Sequence, residues 1–306
     1  PTNTSLSELH LTGIPGLQHL HLWISIPFCI MYLVTLVGNC TLLCVIKADP
    51  SLHLPMFLFL SMLAVIDLVM STSIMPKMLG IFWFHSTTIS LGACLTQMYF
   101  VHAFSAMESG VLVAMAFDRY VAICHPLRYL SVLTGPIVVV IGLATFLRAV
   151  VCMTPITSQI RRLPLCGPAI VDHSYCEHMA VLRLSCEDAA FISTYTLSIS
   201  TCVVSFDSLL IAVSYALILR AVLSLSSPQA CRKALGTCSS HLCIMALYYI
   251  PGLLSVYMER HHQELPPHVQ VLLADLYLLI PPAFNPLIYG IRTKQIRDGA
   301  RRVISR

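Results

Sequence analysis

Seven runs of mostly apolar residues divide the 306-residue chain, and most are separated only by short polar connections. They fall at about Trp23–Ile46, Pro55–Phe82, Leu91–Ile123, Pro136–Ile156, Phe191–Leu223, Ala234–Met258 and Val269–Tyr289. A helix that crosses a bilayer needs about 20 predominantly apolar residues, and each run meets that length. The pattern predicts an all-α membrane protein, a seven-transmembrane helix bundle forming a single domain over residues 1–306. Its parts are a polar to mixed N-terminus (1–22), seven spans (23–290), a long polar connection between the fourth and fifth spans (157–189) and a tail (291–306). The tail carries basic residues at helical spacing, and a short amphipathic helix along the membrane surface is expected.

Composition sharpens this picture. Hydrophobic residues make up 57% of the chain and charged residues only 10%, with a mean hydropathy of +0.80. A soluble domain needs about a quarter of its residues charged to cover its surface, so a soluble enzyme or nucleic-acid-binding module is excluded. Lys and Arg set the orientation. With the N-terminus outside, the inner segments hold Lys47, Arg119, Arg128, Arg220, Arg232, Lys233 and six tail residues, which is twelve of eighteen; the outer segments hold chiefly Arg161, Arg162, Arg183 and Arg260. Asn3-Thr4-Ser5 is a glycosylation acceptor that fits an outer N-terminus. No cleavable leader is evident, and the first span is expected to act as its own targeting signal.

The thirteen cysteines form no metal-binding pair of C-x-x-C type. Cys29, Cys40, Cys44, Cys152, Cys202 and Cys243 lie inside apolar runs, where a free thiol behaves as a small hydrophobe. Cys94, Cys166, Cys176 and Cys186 lie at or between span ends, on the oxidising side; four cysteines allow three pairings. Asp67 and Glu108 stand inside apolar runs, where an ionised acid needs a partner or water. They could share a proton or hold a sodium ion with Asn285.

The third run ends in Met115-Ala-Phe-Asp-Arg-Tyr-Val-Ala-Ile-Cys-His-Pro-Leu-Arg-Tyr129, which sets Asp118, Arg119 and Tyr120 together at a membrane boundary. This string resembles the third-helix end of an odorant receptor, a seven-helix G-protein-coupled receptor. Further matches are Gly38-Asn39, Pro55-Met-Phe-Leu-Phe-Leu60, Ser214-Tyr215, Lys233-Ala234 with Thr237-Cys-Ser-Ser-His241, and Pro282-Ala-Phe-Asn285-Pro286-Leu-Ile-Tyr289. Phe57 stands where the family usually has Tyr. Arg292-Thr-Lys-Gln-Ile-Arg297 and Arg161-Arg-Leu-Pro-Leu-Cys166 resemble the class I, fish-like branch.

The resemblance implies bridges Cys94–Cys176 and Cys166–Cys186. It implies a switch at the inner end built from Asp118, Arg119, Tyr120, Tyr215, Arg232, Lys233, His241, Asn285, Pro286 and Tyr289. The bland alternative is that these residues anchor helix ends at the lipid interface. Pro286 removes a backbone hydrogen bond and permits a kink. For the ligand it implies Arg260, His102, Val256, Tyr249, Leu253, Ser105, Met179 and His178. Tyr249, Leu253, Val256 and Arg260 recur on one helical face, and an inward Arg there would clamp a carboxylate. Glu259 and Glu264 could instead neutralise Arg260 as an interface residue. Met179 and Val256 stand where relatives have polar groups, so the polar cluster is thinner.

The implied function is odorant recognition at the plasma membrane, best a carboxylic acid, with coupling to a stimulatory olfactory-type G protein that raises cyclic AMP. The implied partners are a small-molecule odorant, that heterotrimeric G protein and membrane lipid; no nucleic acid, and no cofactor beyond a sodium ion, is expected. Two other classes compete. An ion-coupled transporter or channel using Asp67 and Glu108 would carry internal repeats or broken helices, which are not seen. An intramembrane hydrolase would need a G-x-S-x-G or H-E-x-x-H in a span, and none stands there. The chain is therefore not expected to be an enzyme.

Overall fold

The computed structural model describes residues 7–166, 168–224, 228–260 and 265–304; side chains at 228, 230, 233, 237, 255–260 and 303–304 lie outside the described residues. In chain order the helices are α1 (His21–Ala48), α2 (Pro55–Phe84), α3 (Leu91–Cys124), α4 (Tyr129–Val132), α5 (Gly135–Arg162), α6 (His178–Leu182), α7 (Ala190–Leu223), α8 (Pro228–Arg260), α9 (Pro267–Arg292) and α10 (Lys294–Ile304). Seven of them are long and apolar enough to cross a membrane; α4 and α6 are short turns in the inner and outer connections, and α10 follows the last span. The protein is a seven-helix membrane bundle with its N-terminus outside.

Local chemistry sets the helix ends. Pro55 opens α2 after an extended Leu54, where its missing N–H costs nothing. Ser90 caps α3, its Oγ accepting from the Ala93 N–H at 3.2 Å. The fourth span runs six residues beyond the expected Ile156, to Arg162. Thr157 returns its hydroxyl proton to the Met153 carbonyl and Ile160 stays buried, so polar sequence continues the helix there. The sixth begins at Pro228 rather than Ala234, because its first turns are polar and stand clear of the apolar run.

The spans bury some faces and leave others apolar and open. Phe59, Leu60, Leu63, Met70 and Ile74 of α2 are fully buried. Trp23 and Ile30 of α1, Val140 and Leu143 of α5, and Leu209 of α7 are exposed, as suits walls solvated by acyl chains. Two glycines allow close approach. A Cβ at Gly38 would lie 2.8 Å from the Pro286 ring, and one at Gly110 2.6 Å from Thr145.

The outer end holds an element the hydrophobic runs did not predict. β1 (Glu8–Leu11) is the middle strand of a small sheet, antiparallel to β2 (Thr88–Ser90) and parallel to β3 (Ile170–Val171). Leu9 and Leu11 are fully buried while Glu8 and His10 face out, the two-residue alternation of a half-buried strand. The N-terminal segment thereby holds the long outer connection down on the bundle.

Candidate functional site

Beneath this sheet the bundle encloses a cavity of about 210 Å³ between α3, α5, α7, α8 and α9. Its apolar wall includes Val101, Met153, Ile156 and Val203; its polar wall includes His102, Ser105, Ser109, His178, Tyr248, Tyr249 and Tyr277. The outer connection forms the roof. Cys176 is bonded to Cys94 at the start of α3, and Cys166 to Cys186 within the connection. The Cys176 N–H donates to Gln97 Oε1 at 2.8 Å, and Ser174 Oγ donates to the buried Asp275 carboxylate of α9 at 2.5 Å. Glu177 caps α6 by accepting from the Met179 and Ala180 amides, which fixes His178 in the roof.

His178 stands edge-on to His102, ring centroids 6.0 Å apart, and contacts Thr196 Oγ1 at 3.3 Å. Burial and then the facing His102 push the His178 imidazole down to about 3, so it is neutral at physiological pH. His173 is likewise held near 3, by burial and then by the Arg183 charge. His102 Nε2 is buried and has no partner among the described residues. Leu253 and Tyr249 share the cavity wall, one turn apart on α8. Met179 stands outside it, its sulfur accepting from Ser193 Oγ at 3.7 Å. An unbranched thioether there fills the gap against α7 instead of reaching inward. The side chains of Val256 and Arg260, and Asn3 altogether, lie outside the described residues.

The cavity floor is a set of hydroxyls that tie the spans together. Ser105 bonds Tyr248 at 3.1 Å and Tyr277 at 3.0 Å, and Tyr248 also donates to the Ser105 carbonyl at 2.8 Å. One turn inward, Ser109 donates to Asp207 Oδ2 at 2.6 Å, so the Tyr249 hydroxyl at 2.9 Å must donate to Ser109. Asp207 is 1% exposed and is neutralised by Arg148 of α5, whose Nη1 lies 2.6 Å from Oδ1 and whose Nη2 donates to the Ala106 carbonyl. Three spans meet at this carboxylate, and α8 joins them through the bond between Tyr249 and Ser109.

Below it, Asn285 donates to both oxygens of Asp67, at 3.2 and 3.1 Å, and Glu108 faces the same pair. Glu108 Oε1 and Asn285 Oδ1 are buried without partners among the described residues.

At the inner end Arg119 is folded onto its neighbour Asp118, with Nη2 2.5 Å from Oδ2. Asp118 also accepts from the Tyr129 hydroxyl at 2.6 Å, and burial followed by the Asp118 charge raises the Tyr129 phenol. Tyr120 touches His125 instead, at 3.2 Å. Tyr215 of α7 and His241 of α8 share a 2.7 Å bond. Pro286 packs on α1 beside Gly38, and Tyr289 is buried beneath it. Arg232 is exposed at the inner end of α8, and the Lys233 side chain lies outside the described residues.

Comparison with known proteins decides what this geometry belongs to. The family model described as "Olfactory receptor" matches residues 28–306. The chain is 53% identical over 305 residues to human Olfactory receptor 52K2, covering 100% of this chain and 97% of that protein. It is 52% identical to human Olfactory receptor 52K1 (97% and 95% covered) and 50% identical to human Olfactory receptor 51G2 (94% and 92%). The chain belongs to the olfactory receptor family. It is a multi-pass plasma-membrane receptor for odorants that couples to G proteins, and it is not an enzyme. The transporter and hydrolase readings are set aside with that assignment.

The bundle brings into the site several residues that neither motif nor spacing singles out. Arg148 was the clearest available signal, since a lone Arg mid-span must find an acid. Asp207 is the complementary signal, an acid inside the fifth apolar run. Tyr248, Tyr277 and Ser109 carry no signal in single-span periodicity, because hydroxyls are common on buried faces.

Proposed function

We propose that the receptor takes a small amphiphile, best a short carboxylic acid, in the cavity under the outer connection, and signals through a stimulatory olfactory-type G protein to raise cyclic AMP. The supporting observation is the position of Tyr248 and Tyr249. Both line the cavity and both hold α8 to α3, through Ser105 and Ser109. A ligand whose polar head competes for these hydroxyls loosens α8 where it moves in receptors of this class. Each net hydrogen bond is worth about 0.5–1.5 kcal/mol. Replacing two of them shifts a two-state equilibrium by roughly 1–3 kcal/mol, about 5–150-fold.

Arg260 at the outer end of α8 is the group for the carboxylate, and His102 and His178 line the cavity that receives the rest of the ligand. A second reading has one observation in its favour. The described part of the wall offers hydroxyls, imidazoles and the Glu177 carboxylate but no Lys or Arg, which suits a neutral alcohol or aldehyde head. At the inner end, an outward α8 parts Tyr215 from His241 and opens the Arg119 region to the G protein. Asp67, Glu108 and Asn285 supply oxygen donors that suit a sodium ion, which would offset one of the two buried acidic charges in the closed arrangement. A shared proton would do the same.

The test is a cyclic AMP assay in cells expressing the receptor, challenged with straight-chain acids, alcohols and aldehydes of graded length, with Arg260→Ala alongside. Response to acids alone, lost in a variant that still reaches the surface, supports the clamp. Equal response to alcohols with no effect of the variant moves the head group to the hydroxyl floor.

A further inference from the structure

A second groove on this receptor lies apart from the odorant cavity. It lies on the opposite side of the α3–α5 seam, measures about 510 Å³, and is lined by Leu91, Gly92, Leu95, Thr96, Tyr99, Thr157 and Arg161. Arg161 stands at its outer end, exposed and with no ion pair among the described residues. One turn inward are Thr157 and then Thr154, whose hydroxyl meets Tyr99 across the seam at 3.4 Å. From Arg161 to Thr154 is seven residues, about 10 Å of helix. Thr96 and Thr157 both return their protons to their own helices, so the walls present carbon and the mouth presents a cation.

We infer that this groove binds one phospholipid of the outer leaflet, its phosphate on Arg161 and the upper part of an acyl chain along Leu95 and Tyr99. The chemistry matches at both ends. An arginine near a span end reaches the headgroup level and takes phosphate oxygens bidentately. Tyr99, two turns inside the Arg161 level, gives the acyl chain an aromatic wall. Gly92 keeps the wall open: a Cβ added there meets nothing within 4 Å. Arg161 is also suited to the α5 C-terminal dipole, but Arg162 beside it serves that role equally and does not line the groove.

The experiment is native mass spectrometry of the purified full-length receptor, titrated with phosphatidylglycerol, with diacylglycerol of the same chains and with cholesterol. One phosphatidylglycerol is expected to stay bound to the unaltered receptor and to Arg162→Gln. Arg161→Gln and Gly92→Phe, the latter filling the groove, are expected to weaken it at least tenfold. Arg161 is exposed, so its variant folds, and normal cell-surface display verifies that. Equal retention by Arg161→Gln, equal loss in Arg162→Gln, or equal binding of diacylglycerol or cholesterol overturns the assignment.

Discussion

Arg148→Met is the perturbation that most directly tests how the spans are held together. Asp207 is 1% exposed and its compensating charge comes from Arg148 at 2.6 Å, with Ser109 donating to the other oxygen. Removing one partner of a buried pair costs about 3–5 kcal/mol, because the remaining charge keeps its desolvation penalty. The Arg148 side chain is 28% exposed, so some water reaches the pair and the lower end applies. About 3 kcal/mol is roughly a 150-fold change in the folded fraction.

Asp207→Leu should cost less. The stranded Arg148 keeps its bond to the Ala106 carbonyl and part of its hydration. In Arg148→Met with Asp207→Leu no buried charge is left, and the double variant should recover to within about 1 kcal/mol of the parent. Cell-surface display and half-inactivation temperature in detergent micelles report the series. A more damaging Asp207→Leu, or a double variant no better than Arg148→Met, would show that the buried carboxylate does not depend on Arg148 for its compensation.

The other predictions rest on separate features. The bridge Cys94–Cys176 closes 82 residues and Cys166–Cys186 closes 20. Loop entropy gives about 4.5 and about 3.3 kcal/mol, so Cys94→Ser should lower thermal stability more than Cys166→Ser. His173 and His178 are neutral when folded, near 3, against 6.5 unfolded. Their stability contribution is complete above pH 6.5 and falls as pH drops toward 3, by up to about 1.4 kcal/mol per pH unit for each; melting between pH 7 and 5 should show this slope, and His173→Gln with His178→Gln should flatten it. Gly38→Ala drives a Cβ to 2.8 Å from the rigid Pro286 ring and should cost about 1–3 kcal/mol, read as reduced surface display, whereas Gly135→Ala, with open space around it, should be silent.

What the sequence determined by itself was the bilayer-scale arithmetic: seven apolar runs, their order, and their orientation from Lys and Arg. These follow from one-dimensional quantities, since a span is recognised by its length and hydropathy without knowledge of its neighbours. The fifteen residues from Met115 to Tyr129 also carried the family, because a contiguous string survives reading along the chain. Tertiary structure alone decided which faces meet. Arg148 and Asp207 are 59 residues apart, and Ser105 and Tyr277 are 172 apart; no spacing rule links such pairs, and only the packing of the spans brings the partners together. The β1 strand was half legible in Glu8-Leu-His-Leu11, but its two partners lie in other outer connections, so pairing waited on the bundle. Met179 shows the same limit from the other side. The chain placed it in the roof, and packing against Ser193 turned it away from the cavity, because in a close-packed interior the neighbours choose the direction a side chain takes.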